Sequence, residues 1–295
     1  MKKLCVSLAL LALSAGLLLA SSPAQPAPAS QEPPPLKLEQ ITGRIYEAKG
    51  GSGANAGVFL GKQETLVIDA KMSEETARQM LEEIKKLSPH PIGYIVLTHS
   101  DGDHVNGLPG FPEGIKIIAH ANTLRDLEEA FKEEKLRACL PQITFRDKYE
   151  LKLEDDTVWL LHFGPAHTSG DVVVYFPAEK VAFLGDLFFK GRDPLVHRHK
   201  NGNSFGLVKV LKAVLELDAE TFLSGHADRA ARGDIEALIQ SLEERQSRIK
   251  ALVEEGKSLD EVKKIFGIED RPEQPGRRRW LSLPEIIYLE LTEKK

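Results

Sequence analysis

Apolar side chains recur along this chain at two spacings, and the change from one to the other marks where the elements change. Arg44 to Glu47, Ala56 to Leu60 and Thr65 to Ile68 read as short strands separated by Gly-rich turns, which predicts an antiparallel start. Ser73 then stands where a helix cap belongs. Glu74 and Glu75 fill the first turn after it, and Met80, Leu81, Ile84 and Leu87 follow at helical spacing. Ile92 to Leu97 predicts the next strand, Ile115 to Ala119 another, and a charged amphipathic helix from about Asn122 to Leu140 is closed by Pro141. Val158 to Phe163, Val172 to Phe176 and Val181 to Leu184 are β-branched or aromatic runs, the last two joined by Pro177-Ala178-Glu179-Lys180 as a tight hairpin. A helix from about Phe205 to Leu217 leads to a strand at Thr221 to Leu223. Helical patterns over about Gly233 to Glu255, Ser258 to Phe266 and Pro284 to Leu291 complete the chain, with no internal repeat.

The N-terminus follows a different rule. Met1-Lys2-Lys3 ahead of the apolar run Leu4 to Ala20 has the charged and apolar regions of a secretory signal, and the small residues from Ala20 to Ala24 suit cleavage; the alternative is a retained membrane anchor. Residues 25–35 are Pro- and Ala-rich and too poor in apolar groups to fold, so they read as a linker. One domain over 36–295 is expected, exported to a periplasmic or extracellular space. Beyond the signal only Cys139 remains, so no disulfide supports that domain, and its place beside Leu136 and Leu140 predicts burial.

Charge narrows the partners. The chain has 39 Lys and Arg against 44 Asp and Glu, a net charge of −5, which favours neither nucleic acid nor an anionic membrane surface; Arg277-Arg278-Arg279 reads as a solvated loop. A small-molecule substrate fits better, and oligomeric state is not legible.

The chemistry is concentrated just after strands. Thr98-His99-Ser100-Asp101-Gly102-Asp103-His104 packs two imidazoles and two carboxylates into one loop, and Gly102 gives that loop freedom to fold around an ion. His167, Asp186 and His226 each follow a further apolar run, in Gly164-Pro165-Ala166-His167-Thr168, Phe183-Leu184-Gly185-Asp186 and Ser224-Gly225-His226. A lone histidine in a loop is usually solvated, but their joint occurrence at strand ends points to a metal. His90, His120 and His162 read as structural, and Asp69 either as a residue orienting a ligand from behind or as a turn residue at a helix entry.

These residues resemble the metallo-β-lactamase-fold hydrolases, whose signature is His-x-His-x-Asp-His followed by a lone His, a bridging Asp and a last His. The resemblance implies a mixed α/β (α+β) fold, a four-layer αββα sandwich with the site at one edge. It also implies that His99 and His167 serve a first metal, Asp103, His104 and His226 a second, and that Asp186 bridges them. Where the usual pattern has its second histidine this chain has Asp101, which either ligates the first metal through oxygen or is too short to reach it. Two divalent ions are therefore expected, with zinc the first choice and iron or manganese admitted by Asp101. The activity implied is hydrolysis of a small ester, thioester, lactone or amide by metal-activated water, with Asp103 also handling a proton. The alternatives are an iron-dependent oxidoreductase or a non-catalytic metal-binding module. The segment from Lys190 to Ser204 reads either as a solvated loop or as a wall of the substrate site, with Lys190, His197, His199, Lys200 and Asn203 as candidate contacts.

Overall fold

The computed structural model describes residues 33–269 and 279–293, so the export segment expected over 1–24, most of the linker, and Arg277 and Arg278 lie outside the described residues. Two sheets form the centre. The first has seven strands in sequence order: β1 (Lys37–Thr42), β2 (Ile45–Lys49), β3 (Ala56–Leu60), β4 (Thr65–Ile68), β5 (Ile92–Val96), β6 (Lys116–His120) and β7 (Ile143–Phe145). Its first four strands run antiparallel through short turns, as the Gly-rich punctuation predicts. From β4 onward the pairs are parallel, because helical crossovers take over from turns. Those crossovers contain α1 (Glu74–Leu87), α2 (Gly102–Val105), α3 (Ala121–Ala130) and α4 (Glu134–Arg137). The second sheet holds β8 (Lys148–Leu153), β9 (Asp156–Leu161), β10 (Val173–Phe176), β11 (Val181–Phe183) and β12 (Thr221–Leu223), in the spatial order β12-β11-β10-β9-β8. All its pairs are antiparallel except β11 with β12, which α5 (Ser204–Leu215) connects. The helices α6 (Arg232–Glu254), α7 (Leu259–Ile265) and α8 (Leu283–Thr292) follow.

Strand alternation sorts the apolar side chains into three cores. Leu66, Ile68 and Val96 of the first sheet meet Val158, Val174, Phe176 and Phe183 of the second between the sheets, where the rings of Phe59 and Phe176 lie 5.2 Å apart. On the opposite faces of the same strands, Val58, Val67 and Ile95 pack with Met80 and Ile84 of α1 and Leu127 of α3. Val173, Tyr175 and Phe222 pack with Leu207 and Leu211 of α5, Ile235 and Ile239 of α6, and Ile286 of α8. Helix, sheet, sheet, helix: the four layers expected are the four observed.

Several elements differ from expectation. The long helix predicted over Asn122 to Leu140 is two, because Phe131 leaves helical geometry (φ −77°, ψ 101°) and its side chain is buried. Strands β1, β7 and β8 were not predicted: β1 is a mostly exposed edge, β7 has three residues, and β8 hides its alternation of inward Leu151 and Leu153 among charges. Cys139 is half-buried rather than fully buried, with its thiol donating to Lys135 O at 3.3 Å. His162 lies just beyond β9, where its ring stacks on His120 at 3.9 Å; His120 Nδ1 accepts from Asn122 N–H and so caps α3.

Candidate metal centre

Asp69 follows β4, the His99 loop follows β5, Asp186 follows β11 and His226 follows β12, while His167 lies between β9 and β10. Bonds between loops of the two sheets bring these ends together: Val172 N–H donates to Thr98 O at 2.8 Å and Asn55 N–H to Gly225 O at 2.7 Å. The carboxyl ends of parallel strands are where a fold of this kind gathers its chemistry.

Three histidines are anchored in the same way. His104 Nδ1 donates to Asp69 Oδ2 at 2.7 Å, and His167 Nδ1 donates to Leu195 O at 2.9 Å. His99 Nδ1 donates to Thr98 Oγ1 at 3.0 Å, since the threonine hydroxyl hydrogen is committed to Asp69 Oδ2 at 2.7 Å. With Nδ1 as donor, each neutral ring presents the Nε2 lone pair to the cluster, the arrangement of a metal-ligating imidazole. Asp69 organises this from behind, accepting also from Thr98 N–H at 2.8 Å while held at a positive φ of 64°.

The facing atoms lack partners of their own. Nε2 of His99, Nε2 of His104 and Oδ1 of Asp186 are buried without a hydrogen bond, although His104 Nε2 and Asp186 Oδ1 are 3.1 Å apart. Leaving such atoms unsatisfied is costly unless something else occupies their lone pairs, and a divalent cation meets that need. Donor atoms of His99, His104 and Asp186, of His99, Asp101 and His167, and of Asp103, His104 and His226 each fall within 4.8 Å of one another. All seven residues that the sequence nominated are therefore in one place. Gly225 makes room for them: a Cβ there would sit 2.5 Å from Asp186 Oδ1 and 2.6 Å from His104 Cε1.

Asp101 does reach the cluster, but it arrives partnered. Its Oδ1 accepts from Lys200 Nζ at 2.6 Å, and its Oδ2 lies 2.7 Å from His197 Nε2, 3.2 Å from His167 Nε2 and 3.8 Å from His99 Nε2. Burial opposes the charge on Asp101, yet these imidazole contacts hold its carboxyl well below the usual range. Thus two of the five candidate substrate residues, His197 and Lys200, are engaged with Asp101 instead. The ring of His199 lies 5.2 Å from that of His197, beside exposed Trp280. Asn203 is the cap of α5, accepting from Gly206 N–H at 2.6 Å, and Lys190 pairs with Asp234 at 3.5 Å.

The opposite side is more open. Asp103 Oδ2 is 2.9 Å from His226 Nε2, Phe189 stacks on the His226 ring at 5.7 Å, and the Arg192 guanidinium lies 4.2 Å from the Phe189 ring. Burial raises the Asp103 pKa, but His226 and His104 outweigh it, so the carboxyl stays ionised. Neither Phe189 nor Trp280 was singled out from sequence, because an isolated aromatic carries no motif. Buried Lys71, two residues after Asp69, is pushed down to about 8 by burial and donates to Ala54 O, bracing the Gly-rich turn before β3.

Without metal the cluster is held by its own charges. Burial works against the protonated imidazoles, but Asp186 and Asp69 raise His104 well above its ordinary value and Asp101 raises His167 to about 9. A raised folded pKa contributes stability that is complete below the unfolded value of about 6.5 and is lost as pH climbs toward the folded one. Lys71 acts in the opposite sense only above about 8. The metal-free protein is therefore expected to melt at progressively lower temperature from pH 6.5 to 8. The metal-loaded protein gains stability over the same interval, because ligation needs neutral imidazole. Thermal melts of both forms check this; a metal-free protein that becomes more stable over that range contradicts it.

The fold and the His/Asp cluster define a metallo-beta-lactamase-like protein, and the model of the metallo-beta-lactamase superfamily matches residues 50–226: the chain belongs to that family. Among curated relatives it is similar to a 2,4-dinitroanisole O-demethylase subunit alpha from a Nocardioides species, 24% identical over 72% of this chain and 64% of the relative. It is also similar to the metallo-beta-lactamase type 2 of Elizabethkingia meningoseptica, 29% identical over 55% of this chain and 66% of that protein. The hydroxyacylglutathione hydrolase of Methylococcus capsulatus is 27% identical over 69% and 80%. The matches thus span about two thirds of the first two relatives' lengths. Solved structures share the fold, among them a metallo-beta-lactamase from Pontibacter korlensis, with a TM-score of 0.61 at 18% identity over 70% of this chain and 99% of that one. The DIM-1 metallo-beta-lactamase has a TM-score of 0.62 at 21% identity over 72% and 99%.

Proposed function

We propose that this protein is a metal-dependent hydrolase of a small ester, thioester, lactone or amide. The observation that carries the reading is the convergence of buried, unpartnered Nε2 atoms of His99 and His104 with Oδ1 of Asp186 at the sheet edge. His99, Asp101 and His167 would hold one divalent ion, Asp103, His104 and His226 another, with Asp186 between them. Such ions, when bound, supply an acidified water and polarise a carbonyl. The protein's own groups do the rest. Asp69 and Thr98 keep the imidazoles oriented, and Asp103, ionised and partly exposed, is placed to accept a proton at Oδ2 and return it to a leaving group. Phe189 backs the His226 ring, while Trp280 and His199 stand on the side of His197.

Zinc is the first choice of metal. The carboxylates Asp101, Asp103 and Asp186 add hard oxygen donors that also suit iron or manganese. Export to a periplasmic or extracellular space remains part of the proposal, on the strength of residues 1–24; among the described residues no helix is long and apolar enough to cross a membrane. The test is a panel of an aryl acetate, an acyl thioester, an acyl lactone and a β-lactam, with 2,4-dinitroanisole added because of the relative named for it. Turnover of at least one member, abolished by a chelator and restored by a divalent ion, is expected. Turnover indifferent to chelation, or metal held tightly with none of the panel consumed, would overturn the reading.

A further inference from the structure

The replacement of the motif's second histidine by Asp101 leaves the first metal position one imidazole short, and a histidine from another loop lies against the carboxylate that replaced it. Three Nε2 atoms surround Asp101 Oδ2: His197 at 2.7 Å, His167 at 3.2 Å and His99 at 3.8 Å. Donor atoms of His99, Asp101 and His167 lie within 4.8 Å of one another, and His197 joins them through the same Asp101 oxygen; three imidazoles and one carboxylate are a donor set that suits a four-coordinate divalent ion. His197 is only 2% exposed, and its ring lies 4.4 Å from that of His167.

Its position is built into the backbone. His197 N–H donates to His167 O at 2.8 Å, Ser169 N–H to Lys200 O at 2.9 Å, and Asn203 N–H to Ala166 O at 2.7 Å, so residues 197–203 lie flat along the His167 loop. A Cβ on Gly202 would come within 2.3 Å of His167 O, which shows how close that approach is. Lys200 completes the arrangement. By taking Asp101 Oδ1 at 2.6 Å it leaves a single oxygen facing the imidazoles and cancels the negative charge that the replacement introduced.

We propose that His197 is a ligand of the first metal position, which is built from His99, His167 and His197 with Asp101 as a single-oxygen ligand neutralised by Lys200. This rests on the metal-dependent reading above. A histidine lost from the motif is thereby replaced from a segment 96 residues away in sequence.

The test is titration of the full chain, freed of metal, with cobalt(II), following both stoichiometry and visible absorption. Wild-type protein binds two equivalents; His197→Ala and His197→Gln each lose the first, with its absorption bands, while the equivalent held by Asp103, His104 and His226 persists and shows that the variants fold. Glutamine retains a hydrogen-bond donor for Asp101 but is a poor cobalt ligand, so it separates ligation from positioning. Two equivalents with unchanged bands in His197→Ala, or their recovery in His197→Gln, would overturn the proposal and leave the metal-dependent reading standing. A wild-type protein that binds no cobalt would overturn both.

Discussion

His104→Ala and Asp186→Ala are each expected to strip metal and activity together, with turnover falling by more than the roughly 10- to 100-fold typical of losing an outer hydrogen-bond partner. His104 links the two halves of the cluster: Nδ1 donates to Asp69, and Nε2 faces Asp186 at 3.1 Å and Asp103 at 3.8 Å. Its removal also leaves the carboxylates of Asp69 and Asp186 buried without that partner, a change worth about 3–5 kcal/mol of stability when a buried charge pair is broken. Asp186→Ala is milder on the fold, because His104 keeps Asp69. Elemental analysis and thermal melts of the two variants separate these effects. Full metal content with full turnover in either one would show that the ligand assignment is wrong.

Gly225→Ala is expected to do comparable damage without replacing a ligand. Its Cβ would come 2.5 Å from Asp186 Oδ1 and 2.6 Å from His104 Cε1, distances at which something must move. Gly225 cannot retreat easily, since its N–H donates to Gly185 O at 2.9 Å and its carbonyl accepts from Asn55 N–H at 2.7 Å. Overpacking of this kind costs about 1–3 kcal/mol, and the displaced ligand atoms should weaken metal binding by about a hundredfold or more. Equilibrium competition against a chelator measures it; an affinity within about threefold of wild type would mean that the loop yields freely.

Local sequence signals carry the strand-end ligands and not the contacts between loops. The strand-end placement of His99, His104, His167, Asp186 and His226 is legible because their loops follow short apolar runs that read as buried strands. The partnership of Asp101 with His197 and Lys200 was not, because it depends on two loops from different sheets lying against each other. His197 and Lys200 read from the sequence as candidate substrate contacts, but which way they face is fixed by backbone bonds to residues 166–169 that no local pattern announces. Asn203, read as a substrate contact, carries a local signal that was available: it stands immediately before an apolar helical run, the place of a cap. The break at Phe131 was invisible for the opposite reason, since the amphipathic period continues across it and only tertiary burial of the ring ends the helix.

Bound metal is the most direct measure of this site. Elemental analysis of the full chain, purified without added metal and again after dialysis against zinc, manganese or iron(II), is expected to give close to two divalent ions per chain, falling in His104→Ala. Less than about half an equivalent under every condition, with the wild type and His104→Ala indistinguishable, would contradict the claim that this cluster is a metal centre.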